Sequence, residues 1–357
     1  VAATALASRG QFAAVKPLLE HLVKSGMTDV STFASMTLLA HGDNAQVQYL
    51  RGILLDKQTQ PELIISMLNQ IRREKILAAM PVAQYAANSY DMLPVQIRGF
   101  MAIDAMAPNA ADLLCDAIKL SRNLSLSINI MRMLASRDDS TKQLTELSSR
   151  NDIVGDMARF ELARRSNASS AGVYLQKLLS LGHPIIVEYV YNRIESDLAD
   201  KRNVDFYIAP LANYIQSREL SSTRITPMHT LLATGISVLG DMQRPAADKV
   251  LAEIFSRPDN DPLKQLAIVA LYATPNRNVA AMAKPCLKSP YPDTKAYAAM
   301  LLAKFNDPAA IPALLEVQLA RPTTEPDVMA LVDWYLLRFA GNAKTTQAVE
   351  TITRSLR

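Results

Sequence analysis

Apolar side chains recur at helical spacing in two copies of one unit near the end of the chain. Residues 264–271 and 295–302 lie about 31 residues apart, and both runs are rich in Ala, Leu and other apolar residues. Within each unit the apolar positions follow i, i+3, i+4, i+7, which is one face of an α-helix. A second apolar set follows each run: Val279, Met282, Ala283, Cys286 and Leu287, then Ile311, Leu314, Leu315, Gln318 and Leu319. The pattern predicts a helix–turn–helix unit, and a period of roughly 30 to 35 residues is typical of a solenoid.

The same period extends back along the chain to about residue 60, and prolines there mark predicted helix starts. Pro61 and Pro94 stand about 33 residues apart, and proline is well tolerated in the first turn of a helix. The period is disturbed between Pro184 and Pro227, which are about 43 residues apart. Pro285 falls inside a predicted second helix, where it should cause a kink or a break.

The period therefore divides the chain into three predicted parts. Residues 1–195 are N-terminal helical repeats, and residues 196–226 are an irregular, enlarged unit or a loop. Residues 227–357 are C-terminal repeats, whose last unit is expected to cap the open end of the core.

Composition strengthens the prediction of an all-α protein. Only 11 of 357 residues are glycine and 49% are hydrophobic, and the abundant Ala, Leu and Met are good helix formers. The length exceeds what one compact core needs, whereas a stack of repeats extends its core lengthwise. We therefore predict a right-handed α-α superhelical solenoid of helical hairpins.

Charge and hydropathy narrow the classes of partner. The net charge of +4 is spread over the chain in short runs such as Arg72-Arg73, whereas strong nucleic-acid binders show a clustered basic stripe. No apolar run approaches the roughly 18 residues of a membrane-spanning helix, and no signal peptide is visible.

Because the chain starts at Val1, we expect a processed mature chain or a piece of a longer one, so a cytoplasmic, periplasmic or exported location stays open.

Catalytic, cofactor and metal motifs are not apparent in the sequence. The four histidines, His21, His41, His183 and His229, lack the local spacing of a metal site. Gly-x-Gly and Gly-x-Ser-x-Gly are both absent, which argues against a phosphate loop and a hydrolase elbow. Cys115 and Cys286 lie on apolar helical faces, so buried free thiols are expected.

Acidic groups at Asp138-Asp139 and at Glu195, Asp197 and Asp200 could suggest paired catalytic carboxylates. Acids in turns more often cap a following helix through its N-terminal amides. We therefore expect capping at both places.

Two aromatic groups are candidates for partner binding. Tyr189, Tyr191, Arg193, Tyr207 and Tyr214 surround the disturbed segment, and Trp334, Tyr335 and Arg338 lie near the end. Aromatic residues at helical spacing usually pack in a core, but tyrosine is also enriched at interfaces. The first group is the predicted partner-binding site, with core packing as the alternative.

Units that open with Pro or Asp and carry Ala at their packed centre resemble HEAT or armadillo-type repeats. The clearest matches are residues 261–287, 293–319 and 326–356, although the Asp and Arg ladder common in that family is not regular here. The resemblance implies a non-enzymatic scaffold that binds a protein or peptide on its concave face. A HEAT-like enzyme acting on nucleic acid, similar to a DNA glycosylase, is the alternative, and a helical domain of a larger exported or envelope protein is a third. The partner and the oligomeric state are left open.

Overall fold

In the described part of the chain helices are joined by turns and short connections, and there is no strand. A computed structural model describes residues 2–218, 227–258, 261–272, 274, 276–319 and 326–339. Contacts divide the chain into two compact units, Val1–Leu162 and Ala163–Arg357. The all-α prediction is confirmed for these residues.

The first unit begins with a kinked helical segment. Helices α1 and α2 are joined by a π-helical stretch, Ala7–Gln11, in which Gly10 has a φ of 85°. Two short 3₁₀ turns follow later, at Leu77–Ala79 and Asp138–Ser140. The helices are α1 Ala2–Leu6, α2 Phe12–Val23, α3 Thr28–Ala40, α4 Gln46–Leu55, α5 Pro61–Glu74, α6 Met80–Ser89, α7 Leu93–Met106, α8 Ala110–Leu120, α9 Leu124–Ala135, α10 Thr141–Ser148 and α11 Ile153–Arg165, the last of which crosses into the second unit.

The second unit continues with longer helices, several of which begin at proline. They are α12 Ser170–Ser180, α13 Pro184–Ala199, α14 Asp205–Gln216, α15 Pro227–Met242, α16 Pro245–Phe255, α17 Pro262–Leu271, α18 Arg277–Met282, α19 Pro292–Lys304, α20 Ala310–Leu319 and α21 Pro326–Arg338. At α17 the carboxylate of Asp261 also accepts a hydrogen bond from the Leu263 amide at 2.8 Å. The predicted break at Pro285 is confirmed, because α18 ends at Met282 and Lys284–Lys288 form a 3₁₀ turn.

Helices pack against their second neighbours as well as their first. In the first unit α3, α5, α7 and α9 contact one another in series, and α4 contacts α6. In the second unit α13, α15, α17, α19 and α21 form one series, while α12, α14, α16 and α18 form another. This arrangement is repeat-like, because each helical pair buries its apolar face against the next pair.

The segment 196–226 is largely helical where it can be described. Helix α13 runs to Ala199 and α14 occupies Asp205–Gln216, both inside the second unit. Residues 219–226 lie outside the described residues, as do residues 340–357 of the predicted cap.

Three polar pairs join residues that lie 33 positions apart in the chain. Arg137 donates to the carboxylate of Asp104 at 3.0 Å, Arg164 donates to Asp197, and Thr274 donates to Asp241 at 3.0 Å. The residue types differ from pair to pair. For that reason the sequence shows no regular ladder of Asp and Arg.

The core is apolar, with a few buried polar groups. Both cysteines are buried free thiols, as predicted. None of the helices in the described ranges is long and apolar enough to cross a membrane.

One buried hydroxyl on α3 gives a stability prediction. The Oγ atom of Ser35 is buried and has no hydrogen-bond partner among the residues that the structure describes, and such a group is costly to hold out of water. We expect Ser35→Ala to raise the free energy of unfolding by about 0.5–1 kcal/mol, as measured by urea denaturation.

Ser31 on the same helix supplies the matched control. It is also buried, but its hydroxyl donates to the Leu22 carbonyl at 3.0 Å. Ser31→Ala should therefore lower the free energy of unfolding by about 1 kcal/mol. Equal losses in the two variants would show that the Ser35 hydroxyl is bonded in solution.

Candidate functional site

The tyrosines predicted to bind a partner lie in the interior of the second unit. Tyr189 and Tyr191 belong to α13, Tyr207 and Tyr214 belong to α14, and none is more than 3% exposed. Arg193 lies over the Tyr189 ring, 5.6 Å from its centroid. The structure thus supports the alternative of core packing for these four rings, and it leaves little of their surface for a partner.

Asp197 explains the position of one of these tyrosines. Its side chain is 1% exposed and accepts hydrogen bonds from Arg164 and, at 2.7 Å, from the Tyr207 hydroxyl. The expected role for this acidic group was helix capping, but Asp197 pairs with side chains of other helices instead. A buried carboxylate needs such partners because burial without them is very unfavourable.

The Asp138-Asp139 pair takes part in a local ion pair. The carboxylate of Asp139 accepts two hydrogen bonds of 2.9 Å from the Arg137 guanidinium, which also donates to Asp104 on α7. Asp139 therefore helps to orient an arginine that bonds another helix, a role that the sequence did not indicate.

The second aromatic group forms a partly exposed cluster on α21. The Trp334 side chain is 51% exposed, and the Arg338 guanidinium lies 5.0 Å from its ring centroid. Tyr335 is buried, and its hydroxyl lies 3.0 Å from that of Tyr272 on the turn after α17. Burial and this hydrogen bond raise the pKa of Tyr335 above its usual value, so the tyrosine stays neutral and structural.

An apolar cavity lies in the first unit, among α1, α2, α3 and α5. Its volume is about 470 Å³. Its wall combines apolar side chains with several polar ones. It is lined by Ala3, Thr4, Ala5, Ser8, Leu19, Leu22, Asp29, Val30, Phe33, Ala34, Gln70, Arg73 and Glu74.

Local sequence explains why α1 lies over this cavity. The positive φ of Gly10 is accessible to glycine at little cost, and it allows the chain to bend between α1 and α2. The Thr37 hydroxyl then bonds the Thr4 hydroxyl at 3.3 Å, and the Phe12 ring stacks on His41 at 4.1 Å. These contacts hold the bent segment against α3 and leave the cavity between them.

A second cavity of about 400 Å³ adjoins the first and is more polar. It is lined by Phe33, Ser66, Asn69, Gln70, Arg72 and Arg73. Phe33, Gln70 and Arg73 also line the apolar cavity, so the two cavities are immediate neighbours. We call them together the α3–α5 groove.

The amphipathic character of α5 positions the polar side of the groove. Ile64, Met67, Leu68 and Ile71 are buried, which turns Ser66, Asn69 and Arg73 to the groove at spacings of three and four residues. Gln70 donates to the Glu74 carboxylate at 3.1 Å, and Arg73 lies 3.4 Å from the same carboxylate. This small network fixes the rim between the two cavities.

Arg72 on α5 and Arg98 on α7 both contact the uncharged side chain of Met101. A guanidinium nitrogen of Arg72 lies 4.0 Å from the Met101 sulfur, and one of Arg98 lies 3.3 Å from it. A thioether is only a weak acceptor. Of this site the sequence showed only the short run Arg72-Arg73.

Comparisons with known proteins identify no family for this chain. No family model matches the sequence, and no curated protein matches it. The X-ray structure of YibA from Escherichia coli aligns with 84% of this chain and 99% of its own, at 13% identity and a TM-score of 0.36. An engineered protein aligns with 99% of this chain and 94% of its own, at 16% identity and a TM-score of 0.24. Likenesses of this strength show neither a family nor a function.

Proposed function

We propose that this protein is a non-enzymatic scaffold that binds a protein or peptide segment in the α3–α5 groove. The solvent-open apolar cavity of about 470 Å³ is the observation that carries the proposal. Ligand sites are typically concave and mostly apolar, with a few convergent polar groups. In this proposal the helical pairs are HEAT-like hairpins of a right-handed superhelical solenoid.

The composition of the groove suits a peptide with an apolar anchor. Leu19, Leu22, Val30 and Phe33 offer aliphatic and aromatic surface for one or two apolar side chains. Thr4, Ser8 and Asp29, which also line the cavity, can hydrogen-bond the backbone of the bound segment. Peptide-binding grooves commonly combine apolar anchors with such polar contacts.

The proposal is tested by selecting peptides on the intact protein and then filling the cavity. A displayed peptide library is panned, and the enriched peptides are synthesised with a fluorophore for anisotropy titrations. Ala5 lines the cavity and is solvent-exposed, so Ala5→Trp should fill the cavity without overpacking the core. We expect the affinity of the enriched peptides to fall by roughly tenfold or more, about 1.4 kcal/mol.

Ala13→Trp on α2 is the matched control. Ala13 is exposed and does not line the cavity, so the same substitution there should leave affinity unchanged. Circular dichroism checks that both variants are folded. The proposal fails if no peptide is enriched, or if both variants bind the enriched peptides as tightly as the parent protein does.

A further inference from the structure

We infer that the bound peptide carries an acidic group, a carboxylate or a phosphoryl group, that binds between Arg72 and Arg98. This inference rests on the proposed function and specifies the chemistry of its partner. Its basis is a pair of positive charges on neighbouring helices, α5 and α7, beside the polar half of the groove.

The two guanidinium groups lie against the same side chain, and no ion pair with a carboxylate joins either of them among the described residues. Each has a nitrogen within 4.0 Å of the same Met101 sulfur. Neither forms a salt bridge with a carboxylate among the described residues. Like charges at such separations repel each other, so an anion that contacts both is favoured electrostatically.

The carboxylates that follow these arginines along the same two helices already have other partners. Glu74 on α5 accepts from Gln70 and is paired with Arg73. Asp104 on α7 is paired with Arg137 at 3.0 Å. The positive charge at Arg72 and Arg98 is therefore available for a ligand.

The adjoining cavity supplies room and further donors for an oxyanion. Arg72 lines this space of about 400 Å³ together with Ser66 and Asn69, whose hydroxyl and amide groups can donate hydrogen bonds. The planar fork of an arginine matches the two oxygens of a carboxylate or a phosphate. Because this cavity shares Phe33, Gln70 and Arg73 with the apolar one, a single peptide can fill both. An apolar anchor and an acidic residue would then lie on the same segment.

The experiment compares matched peptides on matched variants of the full chain. One peptide series has a leucine anchor, spacers of graded length and a terminal pair of glutamates, and a second replaces the glutamates with glutamines. A third series carries phosphoserine. The protein variants are Arg72→Gln/Arg98→Gln and the control Arg277→Gln, since Arg277 is an exposed arginine on α18 of the second unit.

We expect a glutamate or phosphoserine peptide to bind at least roughly tenfold more tightly than its glutamine counterpart. The double substitution should abolish that preference, while Arg277→Gln should preserve it. The preference should also weaken as salt is added, because the charges are partly exposed. Inorganic phosphate and a short single-stranded oligonucleotide are titrated separately on the same proteins.

Three outcomes would overturn the inference. Equal binding of the glutamate, phosphoserine and glutamine series would show that the arginines recognise no acidic group, while the proposed peptide-binding function would stand. Tight binding of inorganic phosphate alone, with no charge preference among the peptides, would assign the arginines to the free ion. Tighter binding of the oligonucleotide than of any peptide, lost in the double variant, would assign them to nucleic acid.

Discussion

Replacing Asp197 with Ala is expected to lower the free energy of unfolding by about 3–5 kcal/mol. The carboxylate is 1% exposed and pairs with Arg164, whose side chain is 7% exposed. It also accepts the Tyr207 hydroxyl at 2.7 Å. Removing it takes a buried counter-charge away from a buried guanidinium, and breaking a buried ion pair from one side is strongly destabilising. Urea denaturation followed by circular dichroism measures the loss.

Asp200→Ala provides the comparison from the end of the same helix. Asp200 is 56% exposed and lies 3.7 Å from Arg202, so its loss should change the free energy of unfolding by no more than about 0.5 kcal/mol. Tyr207→Phe, which removes only one hydrogen bond to Asp197, should cost about 1–2 kcal/mol. If Asp197→Ala were as mild as Asp200→Ala, the buried network would not exist in solution.

Gly99→Ala is also expected to be strongly destabilising. It should lower the free energy of unfolding by about 1–3 kcal/mol. A Cβ atom on Gly99 of α7 would lie 2.5 Å from the Ala87 nitrogen and 2.8 Å from the Ala83 oxygen of α6. These are backbone atoms, which cannot rotate away as a side chain could. The two helices would have to separate, and their shared apolar contact would loosen.

Gly52→Ala tests whether the effect is steric. Gly52 lies on α4, and a Cβ atom there would meet nothing within 4 Å. The same substitution should therefore stabilise the protein by about 0.5–1 kcal/mol, since alanine is the better helix former. Thermal melting curves test this: Gly99→Ala should lower the melting temperature, and Gly52→Ala should raise it. If Gly99→Ala raised the melting temperature instead, α6 and α7 would have to be far enough apart in solution to hold the added methyl group.

The sequence could predict the helices because their causes are local. Apolar residues at i, i+3 and i+4 define a face whatever the rest of the chain does. Pro61 and Pro262 mark helix starts, and Pro285 marks a break, through the geometry of a single residue. The packing of α5 on α7 and of α17 on α19 then follows from the need to bury that face.

The burial of the tyrosines could not be decided in the same way. Helical spacing shows that Tyr207 and Tyr214 share a face with Leu211, but it does not show what covers that face. The partner of the Tyr207 hydroxyl is Asp197, and the partner of Asp197 is Arg164, which lies 33 residues earlier. That spacing equals one repeat, so opposite charges one period apart were the signal that could have revealed the pair.

The groove was beyond prediction because it depends on helices that pack from several parts of the chain. Its apolar cavity needs the bend at Gly10, the contact of Thr4 with Thr37 and the face of α5 at once. Its charged end needs Arg72 and Arg98 beside one methionine. Of these features, the sequence displayed only adjacent arginines, which more often lie on a solvated face.

Photo-crosslinking from the wall of the cavity tests the proposed binding site most directly. A benzophenone amino acid is placed at Ala5, which lines the cavity, or at Ala13, which does not. Each protein is irradiated with a peptide enriched by display, and adducts are located by mass spectrometry. If the peptide binds in the α3–α5 groove, cross-linking from position 5 should be strong and should be lost when excess unlabelled peptide is added. Cross-linking from position 13 should be weak. Equal cross-linking from both positions, or none from position 5 by a peptide that binds, would place the peptide elsewhere.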